Sequence, residues 1–398
     1  MNTPPKTLLG LLLFVLALTG SGCWNRREVE TLAFVLASGV DKTEDGQVRL
    51  TVQLAKPGAI RPKEGGGGGE PAVWVVSTTG KTTFDAVRNF HEVSPRRLIW
   101  SHSEVVVIGE EMARKGMAEF FDFYTRDHDL RWESWILVAQ GKAEEVLKAG
   151  EDLEKIPAKT VTGLIKYKGA HSKAYAGTVK DFVERLVGKG IETVAGRIEV
   201  IQTEGEKGGE GGDKKKKKML RLASTAVFKK GKMVGWLNDV ESRGFLWMKG
   251  EVPSGIITVK SPKDGKSEVG FEILRTKAKT IVRVKDAKPS VTVKIVMEAN
   301  LADQMTPDDL TDVKTIKVLE KRLSTAIRDE ALAALKKARE YKADIFGFGL
   351  ALYREDPSTW KLLEKDWEEE FSGLEVDLEV EAYIRRTGVV TKPVVGAR

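Results

Sequence analysis

A mixed α+β fold of two to three domains is predicted for this chain by three observations. Strand-like and helix-like segments follow one another without the strict alternation that a doubly wound parallel sheet requires. Several alternating segments in the second half are joined by Lys/Asp/Gly/Pro turns, the pattern of an antiparallel sheet. A long amphipathic helix follows those strands and supplies a face to cover them. With 398 residues, 41% of them hydrophobic, nine Trp and fourteen Phe, the chain can fill real cores. That composition excludes a disordered chain.

The first element is a short apolar segment. Lys6 precedes residues 8–18, an eleven-residue run of Leu, Phe, Val, Ala and one Gly, which has the form of a secretory signal. It is too short to span a bilayer, which takes about 20 residues. Thr19, Gly20, Ser21 and Gly22 then form a small-residue stretch ahead of Cys23, the only cysteine of the chain. Ordinary cleavage after Gly22 would free Cys23 as an N-terminal thiol; lipoprotein processing would first place a diacylglycerol thioether on it. Gly20 stands where a lipobox has a branched apolar residue. A lone exported cysteine has no disulfide partner within the chain, and its position at the cut favours the anchor. Acyl chains at about 0.8 kcal/mol per buried methylene would hold a folded domain at a membrane.

Residues 31–40 then read as an apolar strand. Val48, Leu50, Val52 and Leu54 alternate with polar residues as a half-buried strand does. Gly65 to Gly69 form a five-glycine loop, which leads into Pro71 and a strand at 73–77 rather than the helix a phosphate cradle must open. Phe84, Val87 and Phe90 recur at helical spacing within 83–91. A strand at 104–108, a helix at 110–126, a strand at 134–139 and helices at 143–149 and 178–187 follow. Residues 204–218, rich in Gly and Glu and ending in five consecutive Lys, cannot bury apolar area. They form either a domain linker or the tip of a hairpin between strand-like 198–201 and 220–228.

Lys230-Gly231-Lys232 reads as a turn before a strand at 233–237. Strands at 256–260, 269–274, 280–285 and 290–299 complete the expected antiparallel sheet, with Val291, Val293, Ile295 and Met297 on one face. Thr306, Pro307 and Asp308-Asp309 give a helix start. Ile316, Leu319, Leu323, Ile327, Ala331, Leu335 and Ala338 continue it as an apolar stripe. Residues 344–349 redirect the chain, Trp360 and Trp367 share one side of another helix, and Leu374, Val376, Leu378 and Val380 alternate in a closing strand.

The net charge of +7 is partly the local run Lys214 to Lys218. Such a run is a solvated loop or a weak contact to anionic headgroups, worth roughly 1 kcal/mol per Lys near the surface. Nothing around it has the aromatic context of a nucleic-acid binder. His91, His102, His128 and His171 lack metal-ligand spacing, and no serine lies in a Gly-x-Ser-x-Gly elbow. Gly265-Lys266-Ser267 imitates a Walker end, but Lys260 stands where its first glycine is required. The carboxylate pairs Glu110-Glu111 and Asp308-Asp309 and the run Glu368 to Glu370 have no sequence sign of facing a cleft. The motif search favours a protein that is not an enzyme, with no catalytic residue, cofactor or metal ligand to nominate.

One family matches on specific residues. They are Cys23-Trp24-Asn25-Arg26-Arg27-Glu28, Gly39-Val40-Asp41, Ser101-His102, Gly109-Glu110-Glu111-Met112-Ala113 and Arg126-Asp127. In the second half they are Val234-Gly235-Trp236-Leu237, Glu241-Ser242-Arg243-Gly244, residues 344–349, Trp360, Trp367 and Arg385-Arg386-Thr387-Gly388. In these the chain resembles the C-subunit lipoproteins of bacterial spore germinant receptors, the Ger(x)C family. The resemblance implies a lipoprotein acylated at Cys23 and held to the outer face of the spore inner membrane. It further implies α+β domains without an active site, and assembly with two polytopic membrane subunits, A and B. The organisation expected is a lipoprotein signal peptide at 1–22, an N-terminal α+β region at 23–200, a loop or linker at 201–218 and a C-terminal α+β domain at 219–398. Asp344 and its glycines admit a structural role, as a helix-end acceptor and as points of close packing. A solute-binding lipoprotein of a transporter would instead need two similar hinged lobes, and an anchored cell-wall enzyme a cleft with opposed carboxylates.

Overall fold

The computed structural model describes residues 28–60, 71–127, 129–149, 154–207 and 214–387, with Gly10 alone ahead of them. The signal segment, Cys23, Trp24 to Arg27, the five-glycine run, His128 and Gly388 lie outside the described residues. Ten strands build one sheet: β1 (Leu32–Lys42), β2 (Val48–Ala55), β3 (Val73–Gly80), β4 (Arg97–Ile99) and β5 (Val105–Gly109) come first. β6 (Trp135–Ala139), β7 (Gly177–Thr178), β8 (Val194–Lys207), β9 (Lys214–Lys229) and β10 (Lys232–Leu237) complete it. Its main path runs β10-β9-β8-β6-β5-β1-β2-β3. β1, β5, β6 and β8 are mutually parallel, and antiparallel hairpins flank them on both sides.

Parallel central strands need helices on both faces. One face is covered by α1 (Thr83–Val93), α2 (Glu110–Lys115), α3 (Ala118–Arg126) and α6 (Val179–Leu186), whose Phe90, Met112, Phe121 and Phe182 are buried there. α4 (Ala143–Lys148) and α5 (Pro157–Tyr167) cover the other through Val146, Leu147, Val161 and Ile165. The helix expected at 110–126 is two, broken where Gly116 takes φ +128°. In α1 the buried face is Thr83, Ala86 and Phe90, so Phe84 is exposed.

The second sheet has four strands: β11 (Gly255–Lys260), β12 (Glu268–Lys285), β13 (Lys288–Gln304) and β14 (Glu375–Arg386). The expected strands at 269–274 and 280–285 are one long strand, continuous past a bulge near Ile273. An Asp286-Ala287 turn, with φ 52° and 59° at its two residues, joins it to β13. The segments between 256 and 299 pair antiparallel as expected, and β14 joins β13 in parallel, so the complete sheet is mixed. The reason is the return path. The chain reaches β14 through α8 (Val313–Glu340), α9 (Phe348–Glu355), α10 (Pro357–Leu363) and α11 (Trp367–Gly373), a crossover that permits parallel entry.

α8 starts six residues later than Thr306 as N-cap suggested. Its N-cap is Asp312, whose carboxylate accepts from the Lys314 and Thr315 amides. Thr306 and Asp308 hydrogen-bond each other in the loop before it, where Leu310 is buried. The stripe from Leu319 to Ala338 packs on the sheet, and polar residues of α8 cover both sheet edges. Ser324 Oγ accepts from Ala382 N at 3.1 Å and Glu320 Oε1 from Ile384 N at 2.9 Å on β14. Arg322 donates to Lys260 and Ser261 carbonyls at the end of β11. Exposed edge groups that would template strand pairing are thereby satisfied.

α7 (Asp239–Lys249) escapes periodicity because Gly244, Phe245, Leu246, Trp247 and Met248 are buried in succession, so its second half shows no alternation of buried and exposed positions. Its ends carry a signal: Asn238 and Glu241 form a capping box, and Gly250 stops the helix at φ 70°. Within 201–218, residues 201–207 and 214–218 are not linker but paired strand, since β8 and β9 pair from Val194↔Val227 out to Lys207↔Lys214; residues 208–213 lie outside the described residues. Residues 219–237 accordingly finish the first sheet rather than open the second half, because their pairing partners lie in β8. The two sheets differ in size and topology, unlike the matched lobes of a transporter's binding protein.

Candidate functional site

The Asp-x-Phe-Gly-Phe-Gly segment lies where the two halves meet. α8 ends at Glu340, Lys342 takes φ 50°, and Gly347 at φ +79° opens α9. Between them the Asp344 side chain is buried, 3% exposed. Its Oδ1 accepts from Gly347 N at 2.8 Å; its Oδ2 accepts from Gly349 N at 2.8 Å and from the Trp367 indole N–H at 3.1 Å. Burial pushes this carboxyl above its ordinary range, against the pull of those donors.

The same loop is stitched to the end of α6. Glu192 N donates to the Asp344 carbonyl at 2.8 Å, and Leu350 N to the Gly190 carbonyl at 2.9 Å. The Arg185 guanidinium donates to the carbonyls of Glu192, at 2.8 Å, and Ile345, at 2.5 Å. Two glycines let the backbones touch. A Cβ on Gly349 would stand 2.6 Å from Trp367 Nε1 and 2.8 Å from Gly190 Cα. Phe346 and Phe348 stack at 5.3 Å, and Trp360 meets Trp367 edge-on at 5.3 Å. The two tryptophans meet, but from separate helices, α10 and α11, and not from one side of a single helix as expected. Outside this cluster, Glu368 binds Lys229 at 2.7 Å and Lys230 at 2.5 Å across the same boundary.

Other singled-out residues hold elements in place. Asp41 accepts from the first amides of α4, Ala143 N at 2.8 Å and Glu144 N at 2.9 Å, which places an anion at a helix start. A side chain at Gly109 would run into that carboxylate. Arg243 grips Glu330 of α8 through two nitrogens, and the Trp247 indole donates to Glu330 Oε2 at 2.7 Å. Glu298 takes both Arg385 and Arg275, which hold its carboxyl down at about 2.

The candidates for chemistry are not brought together. Glu110 is occupied by Arg114, and Asp308 and Asp309 serve turns. Gly265-Lys266-Ser267 sits in the β11–β12 turn on the Asp264 carboxylate. Among the described residues no group of three or more His, Cys, Asp or Glu is placed to hold a metal ion, and no helix is long and apolar enough to cross a membrane. The buried carboxylates Asp41 and Asp344 each turn both oxygens to backbone or indole N–H groups, an arrangement that fixes the backbone around them.

Comparison with known proteins gives a consistent result. Residues 25–200 match the family described as "Spore germination protein N-terminal domain" and residues 223–388 the one described as "Spore germination B3/ GerAC like, C-terminal". Spore germination protein KC of Bacillus subtilis is 29% identical over 98% of both chains. Putative spore germination protein YfkR of the same species is 28% identical, again over 98% of both. The crystal structure of the GerBC protein shares the fold, with a TM-score of 0.55 at 19% identity over 87% of this chain and 96% of that one.

Proposed function

Because the chain belongs to the Ger(x)C family of spore germination proteins, we propose that it is the C subunit of a nutrient germinant receptor, acting by docking rather than catalysis. It is tethered to the outer face of the spore inner membrane by an acyl thioether on Cys23. Its neighbours are the polytopic A and B subunits. The observation that carries this reading is end-to-end similarity: both halves match, and the spore germination relative KC is covered over 98% of its length. Two features support it. Cys23 follows a signal-like segment at the cleavage position. The Asp344 junction joins the halves through hydrogen bonds, close backbone contact and aromatic packing, so that they present a fixed surface to a partner.

The test is radiolabelled palmitate with wild type and Cys23→Ala, followed by affinity capture from detergent-solubilised spore membranes. Label on wild type alone, with co-capture of two polytopic proteins, is the expected result. Unlabelled wild type refutes the anchor, and co-capture of permease subunits refutes the receptor assignment. Catalysis by the purified chain on a cell-wall substrate would refute the docking role.

A further inference from the structure

The first sheet ends in a free edge at β3, which pairs with β2 on one side alone. Two hydrogen bonds fix which of its backbone groups point outward. The Ala72 carbonyl accepts from Lys56 N at 2.9 Å and so faces the β2 side, whereas the Thr79 carbonyl faces outward and accepts from Asn89 Nδ2 at 2.8 Å. Successive residues of an antiparallel strand turn their N–H and C=O groups to opposite sides, so Val73, Val75 and Ser77 face outward with Thr79. Among the described residues, the outward N–H and C=O groups of Val73, Val75 and Ser77 make no hydrogen bond.

Such an edge is a template for strand pairing, and folded proteins ordinarily guard it with charge, proline, a bulge or a cover. The second sheet is covered in this way by α8. β3 is not. Its eight residues hold no charge and no proline, and its register with β2 is unbroken. An open groove of about 510 Å³ runs along the edge, lined from both faces of the strand. Asn89, Glu92 and Val93 of α1 line it on the face to which Thr78 points; Arg49 and Glu144 line it on the face to which Ser77 points. On the α1 side Trp74 is 38% and Val93 47% exposed, apolar area without full cover. On the other side Arg49 binds Glu144 at 3.1 Å, and Lys148 binds the same carboxylate at 2.5 Å. Glu92 is thus the charge of the lining left without an ionic partner among the described residues.

We propose that β3 docks an extended segment of a protein partner by strand addition, a segment with apolar residues at alternate positions and one basic residue. Its backbone pairs with Val73, Val75 and Ser77, its apolar side chains lie on Trp74 and Val93, and its basic residue meets Glu92. A second copy of this chain does not fit. Asn89 reaches the outward Thr79 carbonyl, so α1 overhangs the edge. Two-fold pairing would set two β3 strands about 4.8 Å apart and drive their overhanging helices together, whereas helix axes need about 8–10 Å. A lone strand brings no helix with it. The inference gives the docking role proposed above its surface, and rests on that role for the partner being a protein.

Equilibrium dialysis of the detergent-purified full chain, with micelles on both sides, provides the test. The probe is the labelled, end-capped peptide Lys-Val-Thr-Val-Thr-Val, and its control is the same peptide N-methylated at alternate residues. Saturable binding of the probe with a Kd of about 0.5 mM is expected, and about tenfold weaker binding of the control, which cannot complete the ladder. Val75→Pro removes an outward N–H and no bond to β2, and should weaken the probe by about tenfold. Val75→Thr keeps that N–H and should bind like wild type. Glu92→Lys, on an exposed position that the fold does not use, should weaken the probe by about threefold and favour the peptide with Glu in place of Lys. The proposal is overturned if probe and control bind alike, if Val75→Pro binds like wild type, if the charge swap changes nothing, or if no saturable binding appears up to about 10 mM. Amides of Val73, Val75 and Ser77 protected from hydrogen exchange in the free chain would mean that a segment of the chain itself already covers the edge. A dimer dissolved by Val75→Pro would mean a second copy. Either result overturns the proposal. Probe binding as expected, without co-capture of polytopic proteins by wild type, refutes the receptor reading and leaves the docking edge supported.

Discussion

Replacing Asp344 with asparagine removes one oxygen from a carboxylate that accepts three N–H groups, at 2.8, 2.8 and 3.1 Å. Asparagine has a single carbonyl oxygen. Placed at the Oδ2 position it keeps Gly349 and Trp367, but its NH₂ then points at the Gly347 N–H, donor against donor. One buried donor left unpaired costs about 1–3 kcal/mol, and the two surviving bonds lose their charge assistance. The neutral amide recovers part of this, because it escapes the burial penalty that raises the Asp344 carboxyl. The net expectation is a loss of about 2–4 kcal/mol. Urea unfolding followed by tryptophan fluorescence reads it directly, since the Trp360–Trp367 pair lies at the junction. A loss under about 0.5 kcal/mol would refute the assignment of this carboxylate as the group that holds the loop.

The remaining predictions use the same chain. Gly349→Ala forces a methyl to within 2.6 Å of Trp367 Nε1 and should cost about 1–3 kcal/mol. Gly163→Ala, inside α5 with nothing within 4 Å, should gain about 0.5–1 kcal/mol in the same urea assay. Glu330→Gln strands the Arg243 charge in a pair whose side chains are each 12% exposed, and should lower stability by about 3–5 kcal/mol; a change under about 1 kcal/mol would contradict it. The Glu298 carboxyl should titrate at about 2 by carbon-detected NMR and move toward its ordinary value in the Arg275→Gln, Arg385→Gln double variant. Because its folded pKa is depressed, its small exposed contribution is present above the ordinary glutamate value and disappears as pH falls toward 2.

Elements whose packing is one-sided were legible from the residues. Val291, Val293, Ile295 and Met297 share a buried face, and the stripe from Leu319 to Ala338 is the buried side of α8, because each element keeps its other face polar. α7 is covered from several sides, so its pattern lost the contrast that periodicity needs, and only the Asn238–Glu241 box and Gly250 betrayed it. Local signals also misled where tertiary demands competed. Thr306-Pro307-Asp308 has the form of a helix start, yet the loop is held by its own hydrogen bonds and buries Leu310 before α8 begins at Val313. The parallel sense of β14 was invisible for a different reason: strand direction depends on the crossover, not on alternation.

The junction shows the same division within one site. Asp344 bonds Gly347 and Gly349, three and five residues away, so a helix-end acceptor could be read from spacing alone. Its partners on α6 could not, since Gly190 and Glu192 lie more than 150 residues earlier and resemble an ordinary turn. Close backbone approach is encoded by missing side chains on both partners, and a missing side chain leaves no pattern to match. Gly190 takes φ +62°, which by itself explains a glycine; only the 2.5 Å at which a Cβ there would stand from the Gly349 carbonyl carbon reveals the second constraint. Substituting both glycines should therefore cost less than the sum of the single changes, because the first substitution already breaks the contact that the second would break.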